Sequence, residues 1–224
     1  MTSPRSKSGA SVTADQIVET AARLIDVDGV EAFSMRRLAE QLGVAVTSIY
    51  WHIGGRDKLF DSLVEGLLAQ MAHLPSDGDN PVDRIASIAR SQRRLLIEKQ
   101  NLLAIAHERN RTPQLFLPIQ QRLAAELSEL GVVGSDAALI VRVVEVHVIS
   151  SAIMQFSAVR GPKHDEEDPS LWADAWPDRA LVAALQSPTD YDAVFEYGLE
   201  AMLAPLSPGR QTNGRVRATR SSSA

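Results

Sequence analysis

The chain has 224 residues, no cysteine and a formal net charge of −5. The lack of cysteine excludes disulfide scaffolds, cysteine-ligated zinc sites and thiol catalysis. Aromatic residues make up only 5% of the chain, while Ala, Leu, Val and Ile are abundant, and this balance predicts an all-α fold rather than a sheet sandwich. No N-terminal apolar run resembles a signal sequence, and no stretch approaches 18 uninterrupted apolar residues. We therefore expect a cytoplasmic protein with no membrane partner.

The acidic residues are concentrated in the middle of the chain. Residues 1–60 carry seven Lys/Arg and seven Asp/Glu, residues 61–206 carry twelve and twenty-one, and residues 207–224 carry four Arg and no acid. A neutral N-terminal region can still gather arginines on one side and bind DNA there. We predict a disordered arm over residues 1–12 and a disordered basic tail over residues 207–224. The alternatives are a minor-groove arm and a DNA-clamping tail.

The first predicted helix begins at Thr13, because Gln16 three residues later completes a capping box, and Gly29 ends it. Residues 34–59 then contain two short amphipathic helices with apolar residues at helical spacing. Between them Gly43 occupies a position that favours a left-handed C-cap. The resulting turn, Gly43-Val44-Ala45, is typical of a helix-turn-helix, and Ala45 supplies no hydroxyl to cap the second helix.

The second helix of this hairpin carries groups suited to a nucleic-acid surface. Hydroxyl, phenol and imidazole groups can donate to phosphate oxygens or base edges, and a Val or Thr methyl can contact thymine. Arg36 adds charge in the preceding helix. Arg56 lies at the start of the next helix, whose free N–H groups could hold a phosphate. The DNA-binding candidates are Arg36, Val46, Thr47, Ser48, Tyr50, His52 and Arg56. A solvated helical hairpin with incidental hydroxyls is the alternative.

The segment RRLAEQLGVAVTSIYWHIGGRDKL, residues 36–59, resembles the TetR/AcrR family of one-component transcriptional regulators. The family pattern at these positions is LA-x-x-LGV-x-x-x-[ST]-[LI]-Y-x-H-[FIV]-x-x-[KR]-x-x-L. The triplet Tyr50-Trp51-His52 is similar to the tetracycline repressor branch, and FEYGLEAMLAPL at residues 195–206 resembles that branch's last helix. The resemblance implies that Arg36 reads a base. It also implies an altered operator, since Val46 replaces a base-reading Gln of that branch.

The rest of the chain predicts further helices. An apolar stripe from Leu59 to Met71 is expected to link two domains. Another helix begins at Asn80-Pro81 and runs to about Glu98. A short apolar segment follows at residues 102–107, and a helix begins at Thr112, with Pro118 expected to kink it or to begin a new one. The remaining predicted elements are a long apolar helix over 136–156 capped by Ser135, an acidic loop over 158–178, and helices over 178–186 and 190–203.

No catalytic motif stands above background: there is no GxSxG, P-loop, HExxH or dinucleotide fingerprint. The five histidines are scattered. We therefore predict no enzyme activity, no catalytic residue, no cofactor and no metal site.

Resemblance to the tetracycline repressor branch suggests where an effector binds. His107 falls near that branch's metal-ligating histidine. The positions of other drug-contacting residues are Ala72, Ala89, Arg93 and Gln155, each a departure from the branch. Because unmet hydrogen bonds to buried polar groups cost about 1–3 kcal/mol each, we predict that the effector is not tetracycline. The predicted ligand-binding residues are Ala89, Arg93, Leu103, His107, Ile149 and Gln155.

The resemblance implies a three-helix headpiece over residues 13–58 and a helical ligand-binding and dimerisation domain over residues 59–206. It implies a homodimeric repressor that binds a palindromic double-stranded operator and is released by a small molecule. The helices near 136–156 and 190–203 would form a four-helix bundle with the partner. A helical small-molecule enzyme or carrier with an interaction headpiece is the alternative.

Overall fold

A computed structural model describes residues 12–160 and 178–207. The described residues contain helices and no strand, which confirms the all-α prediction. The predicted arm up to residue 11, most of the acidic loop and the tail from residue 208 lie outside the described residues. The helices are α1 (Ala14–Asp28), α2 (Met35–Leu42), α3 (Val46–Ile53), α4 (Arg56–Ala72), α5 (Pro81–Glu98), α6 (Gln100–Glu108), α7 (Thr112–Glu129), α8 (Gly134–Arg160), α9 (Arg179–Leu185) and α10 (Tyr191–Leu203), followed by a 3-10 turn (Ala204–Leu206).

The helices divide into two compact units, and each is described by itself. Unit 1 contains residues 1–75 and 91–122, and unit 2 contains residues 76–90 and 123–224. The predicted boundary between residues 58 and 59 lies inside unit 1 and stays a prediction. Within unit 1, α6 is held to the end of α1. Asn101 Nδ2 donates to the Ile25 carbonyl at 2.8 Å, and Lys99 Nζ lies 2.6 Å from an Asp26 carboxylate oxygen.

Local signals set the ends of the first helix. Thr13 and Gln16 exchange side-chain and backbone hydrogen bonds in a capping box, and Gly29 follows the last turn with a φ of 83°, as predicted. Val12 and Ile17 are both buried and occupy the two positions of a hydrophobic staple. The headpiece core is aliphatic and comprises Ile17, Ala21, Ile25, Leu38, Ala39 and Ile49.

The apolar stripe of α4 is buried as the sequence predicted. Its members Leu59, Phe60, Leu63, Val64, Leu67 and Met71 are almost fully inaccessible. Burying a side chain of this size contributes about 1.5–3 kcal/mol. The stripe therefore makes α4 an integral element of unit 1, packed against both α1 and α6.

The expectation that Pro118 could begin a new helix is wrong, because α7 continues through it from Thr112 to Glu129. A proline inside a helix removes one hydrogen bond to the carbonyl four residues earlier. Gln114 is exposed, so water can hydrate that carbonyl. The buried stripe Leu115, Ile119, Leu123 and Leu127 lies on the other side and holds the helix together across the proline.

Unit 2 is built around the pair α8 and α10. The His147 ring stacks on the Phe195 ring with centroids 5.1 Å apart and planes 8° from parallel. His147 Nε2 donates to the Phe195 carbonyl at 2.9 Å. Gly198 permits this approach, because a Cβ there would collide with the imidazole. His147 therefore has a structural role in joining the two helices.

Ion pairs complete the packing of unit 2. Arg90 makes hydrogen bonds of 2.7–2.9 Å to both carboxylate oxygens of Glu196, and Arg84 pairs with Glu126 and Glu129. The hydrogen bonds that Arg90 donates to Glu196 raise the pKa of Arg90 above its ordinary value, against an opposing effect of burial. These pairs attach α5 to α10 and α7.

The helix α8 begins at Gly134, two residues before the predicted start, so Ser135 lies inside the helix rather than capping it. In the segment Gly134–Ala158, the most apolar stretch of 18 residues has a mean hydropathy of 1.8, and the segment is long enough to cross a membrane. A single helix of this kind is weak evidence for a membrane span, because buried helices of globular proteins have the same composition.

Candidate nucleic-acid interface

The helix-turn-helix predicted from sequence is formed by α2 and α3. Ser34 caps α2 by accepting a hydrogen bond from the Arg37 amide. Gly43 ends α2 in the left-handed conformation, with φ 67° and ψ 30°, as predicted. Ala45 then precedes α3 without a side-chain cap, also as predicted. The inner faces of the two helices are buried at Leu38 and Ile49, which leaves their other faces open.

The open side of α3 carries three exposed residues at helical spacing, Thr47, Tyr50 and Trp51, which we call the recognition face. Tyr50 is 48% exposed and Trp51 is 82% exposed. Two adjacent exposed aromatic rings with polar edges form a patch suited to contact with a partner. The phenol, indole N–H and hydroxyl can all donate to phosphate oxygens or base edges.

Trp51 was missed as a site residue, although it lies inside the triplet that carried the resemblance. Its ring lies edge-on to the His52 ring, with centroids 4.7 Å apart. Its position one helical turn after Thr47 was the available signal. The other predicted residues of α3, namely Val46, Ser48 and His52, are half-buried and lie beside the recognition face along the helix.

The side chains of Arg36 and Arg37 on α2 have different ion-pair partners. The Arg36 side chain is 85% exposed and pairs with Glu40 one turn later at 3.1 Å. Arg37 lies 2.8 Å from the Asp28 carboxylate and so attaches α2 to the end of α1. An exposed pair such as Arg36–Glu40 contributes about 0.2–1 kcal/mol at most. Arg36 can therefore exchange Glu40 for a phosphate or a guanine at little cost.

The start of α4 provides a second anion-binding feature. Its N-cap is Gly55, and no side chain caps the first-turn N–H groups. The Arg56 guanidinium lies 4.9 Å from the centre of the Phe60 ring and 5.8 Å from that of Phe33. The two rings thus hold the Arg56 charge close to the positive end of the helix dipole, where a phosphate is favoured.

The end of α6 is tied directly to the start of α4. Arg109 lies 2.9 Å from an oxygen of Asp57 and 2.6 Å from one of Asp61, and its guanidinium lies 5.7 Å from the Phe60 ring centre. The Arg109 side chain is only 24% exposed, so these contacts are partly shielded from solvent. Sequence reasoning did not single out Arg109, because its partners are about fifty residues away.

The predicted ligand-binding residues are distributed over both units. In unit 1, Arg93 is buried, Leu103 is half-buried and His107 is exposed, with its Nδ1 3.4 Å from the Thr112 hydroxyl. In unit 2, Ala89 is buried, and Ile149 and Gln155 are half-buried. Within residues 12–160 and 178–207, no group of three or more His, Asp or Glu residues could hold a metal ion.

Unit 1 also contains an open groove of about 630 Å³ between α1, α4 and α6. Ala22, Ser62 and Leu102 are among the residues that line it. Gly66 lies in the wall formed by α4, and a Cβ added there would meet no atom within 4 Å. The groove is open to solvent, and charged residues such as Glu19, Arg23 and Glu65 also line it.

Two family models match most of the chain. Residues 17–63 match the model described as bacterial regulatory proteins of the tetR family, and residues 74–208 match the tetracyclin repressor-like C-terminal domain. A tetracycline repressor protein of class C from Escherichia coli is 27% identical over 208 residues, which cover 90% of this chain and 94% of that protein. An HTH-type transcriptional regulator from Saccharopolyspora erythraea is 29% identical over 140 residues, 62% of this chain; the match spans only 59% of that regulator.

The fold of the chain is also similar to solved structures of TetR family proteins. The TetR family protein ActR of Streptomyces coelicolor, in complex with (S)-DNPA, is 28% identical with a TM-score of 0.61, and the match covers 88% of this chain and 98% of that one. The ActR structure without ligand gives a TM-score of 0.62, with coverage of 88% and 95%.

Proposed function

Because the chain belongs to the TetR family of bacterial regulatory proteins, we propose that it is a homodimeric, ligand-released repressor that uses the recognition face to bind a palindromic operator. The family's regulators bind DNA and respond to ligands, and the relatives are named as transcriptional regulators rather than enzymes. The observation that carries the proposal is an uncapped α3 that exposes Thr47, Tyr50 and Trp51 beside an accessible Arg36. Such a protein acts in the cytoplasm, where its operator is.

The predicted DNA contacts have different roles, either reading bases or binding the phosphate backbone. The side chains of α3 lie in the major groove, where Arg36 can form a bidentate contact to guanine worth about 1–3 kcal/mol of discrimination. Val46 supplies a methyl surface for thymine. Arg56 and the free amides at the start of α4 hold a backbone phosphate, which positions the headpiece without reading sequence.

Dimerisation is supported by a second exposed surface, in unit 2. Leu139, Val143, Val146 and Ile153 on α8, with Val194 on α10, are large aliphatic residues exposed in the single chain, and we call them the aliphatic face. Their spacing along α8 follows one side of the helix. A second copy of the chain would bury them in a twofold interface, as in the homodimers of the family. Two recognition faces then reach successive major grooves, about 34 Å apart.

The contacts of Arg109 suggest how an effector releases the operator. A ligand that displaces α6 acts on the start of α4 through Arg109, and α4 adjoins α3 through the short Gly54-Gly55 turn. The movement changes the separation of the two recognition faces. The coupling requires that the ligand bind the released conformer more tightly than the DNA-bound one. We propose that the ligand contacts the unit 1 residues Arg93, Leu103 and His107.

We propose that the effector is not a magnesium–tetracycline chelate. Ala72, Ala89 and Gln155 stand where the tetracycline branch has hydrogen-bonding or metal-linked side chains, and each lost buried hydrogen bond costs about 1–3 kcal/mol. Calorimetric titration with magnesium–tetracycline should give no binding in the micromolar range. A mid-micromolar or tighter dissociation constant would contradict this part of the proposal.

Selection of binding sites from random duplex DNA tests the proposed function. The enriched sequences should be palindromic, with half-site centres about one helical turn apart. Arg36→Ala should weaken binding and relax the selected base at one position of each half-site. Arg23→Ala on α1, whose guanidinium bonds only to Thr20 among the described residues, is the control for the loss of a charge. A site without twofold symmetry would count against the dimeric repressor.

A further inference from the structure

The side-chain amide of Gln92 in α5 is fully buried, with 0% of the residue exposed. Neither its Nε2 nor its Oε1 hydrogen-bonds to any group of the described protein. An amide offers two donors and an acceptor with two lone pairs. Burying it without partners is unfavourable, because the hydrogen bonds that it makes to water in the unfolded chain are not replaced.

A second buried amide in the same unit shows the usual arrangement. Asn101 in α6 is 8% exposed, and its Nδ2 donates to the Ile25 carbonyl at 2.8 Å and, more weakly, to the Asp26 carbonyl at 3.5 Å. Asn101 thus has a structural partner. Gln92 differs from it in having a polar group directed into the interior with nothing in the described protein to meet it.

The buried residues one turn after Gln92 on the same side of α5 are aliphatic, namely Leu95 and Leu96. A molecule that meets Gln92 in this interior is therefore mainly apolar and presents one polar edge.

We propose that Gln92 is the polar contact for the effector, and that the effector is an apolar small molecule whose polar edge carries a donor beside an acceptor, as in a primary amide, a lactam or a carboxylic acid. Such an edge accepts from Nε2 and donates to Oε1, so two hydrogen bonds form side by side. An ester or a dialkyl amide lacks the donor and leaves Oε1 unpaired. This inference rests on the proposed function, because it names the ligand class of the same regulator.

The first test compares two substitutions by thermal unfolding of the full chain. Gln92→Leu removes an unpaired amide at similar volume and should leave the Tm unchanged or raise it by about 2–4 °C. Asn101→Leu removes a bonded amide and one of the two hydrogen bonds that the Ile25 carbonyl accepts, so it should lower the Tm by about 2–6 °C. A fall in Tm for Gln92→Leu as large as that for Asn101→Leu would show that Gln92 has a structural partner and would overturn the proposal.

The second test measures ligand preference by titration calorimetry. The probes are two matched pairs, 1-naphthamide with N,N-dimethyl-1-naphthamide, and heptanamide with N,N-dimethylheptanamide. The wild-type protein should bind at least one primary amide about tenfold or more tightly than its dimethyl partner, and Gln92→Leu should remove that ratio. Absence of millimolar or tighter binding by both primary amides, or a preference that survives Gln92→Leu, would overturn the proposal.

Gly66→Leu is the matched control for binding elsewhere, because it adds a side chain to the groove between α1, α4 and α6. The amide preference should survive this change. Its loss in Gly66→Leu would place the probe in the groove and overturn the assignment to Gln92. Operator binding by the wild-type protein is measured separately, so a failure to bind DNA would overturn the proposed function while the amide preference stands.

Discussion

Two surfaces of this molecule expose large side chains, and they differ in chemistry. The recognition face combines Tyr50 and Trp51 with the hydroxyl of Thr47, whereas the aliphatic face carries only hydrocarbon, as at Val146 and Ile153. Groups with polar edges can exchange water for phosphates and bases. A hydrocarbon surface lowers its free energy only when it is removed from water, so it requires another apolar surface to pack against. A group of neighbouring exposed side chains thus indicates a partner surface, whereas a single one such as Val27 does not, and the polar content of the group indicates which kind of partner binds there.

The largest expected effect comes from placing a charge on the aliphatic face. Val146 is 65% exposed in the single chain, so Val146→Glu should fold normally. In a twofold interface it buries two unpaired carboxylates, at about 3–5 kcal/mol each. The dimer should dissociate, and operator affinity should fall by about a hundredfold or more. Sedimentation and a DNA-binding titration measure the two effects.

Val27→Glu is the control for Val146→Glu, because Val27 is equally apolar and exposed but lies on α1. It should leave the dimer intact. A dimeric Val146→Glu protein would show that the aliphatic face is not the subunit interface.

Tyr50→Ala tests the recognition face. Loss of its contacts should weaken operator binding by about 1–3 kcal/mol, or about 5- to 150-fold, without changing the dimer or the Tm. Leu117→Ala on α7 removes another large side chain, 49% exposed and outside both faces, and should not alter the half-site contacts. The comparison of the two faces fails if Leu117→Ala weakens DNA binding and Tyr50→Ala does not.

Glu40→Gln should tighten operator binding by up to about fivefold. The change frees Arg36 from an exposed pair worth about 0.2–1 kcal/mol and removes a negative charge beside the proposed DNA surface. Titrations at several salt concentrations measure the effect, which should shrink as salt screens the charges. Glu19→Gln on α1 controls for net charge. Weaker binding by Glu40→Gln would mean that Glu40 positions Arg36 for the DNA.

The smallest expected effect is local to α3. Ala45→Ser should supply the missing N-cap and stabilise the free helix by about 0.5–1 kcal/mol. Amide hydrogen exchange at Thr47 and Ser48 in the free protein should slow by about two- to fivefold. Unchanged exchange would show that the first turn of α3 is already held by its packing.

Elements whose signals are local could be predicted from the amino-acid sequence. The capping box at Thr13, the left-handed turn at Gly43, and the helix starts at Asp178 and Asp190 each depend on residues within four positions, and all four appear in the structure. The helix-turn-helix and its open α3 face follow from the same short-range periodicity. This is why the candidate DNA contacts could be listed before any coordinates, whereas the family was named from the resemblance of residues 36–59 to its motif.

Features that depend on distant partners could be seen only in the folded chain. The buried stripe of α7 overrides Pro118, and Arg109 meets Asp57 about fifty residues away. The sequence drew attention to Arg93 rather than to its neighbour Gln92, because burial without a hydrogen-bond partner cannot be read from spacing. Such outcomes depend on what the rest of the chain places around a side chain, which periodicity does not encode.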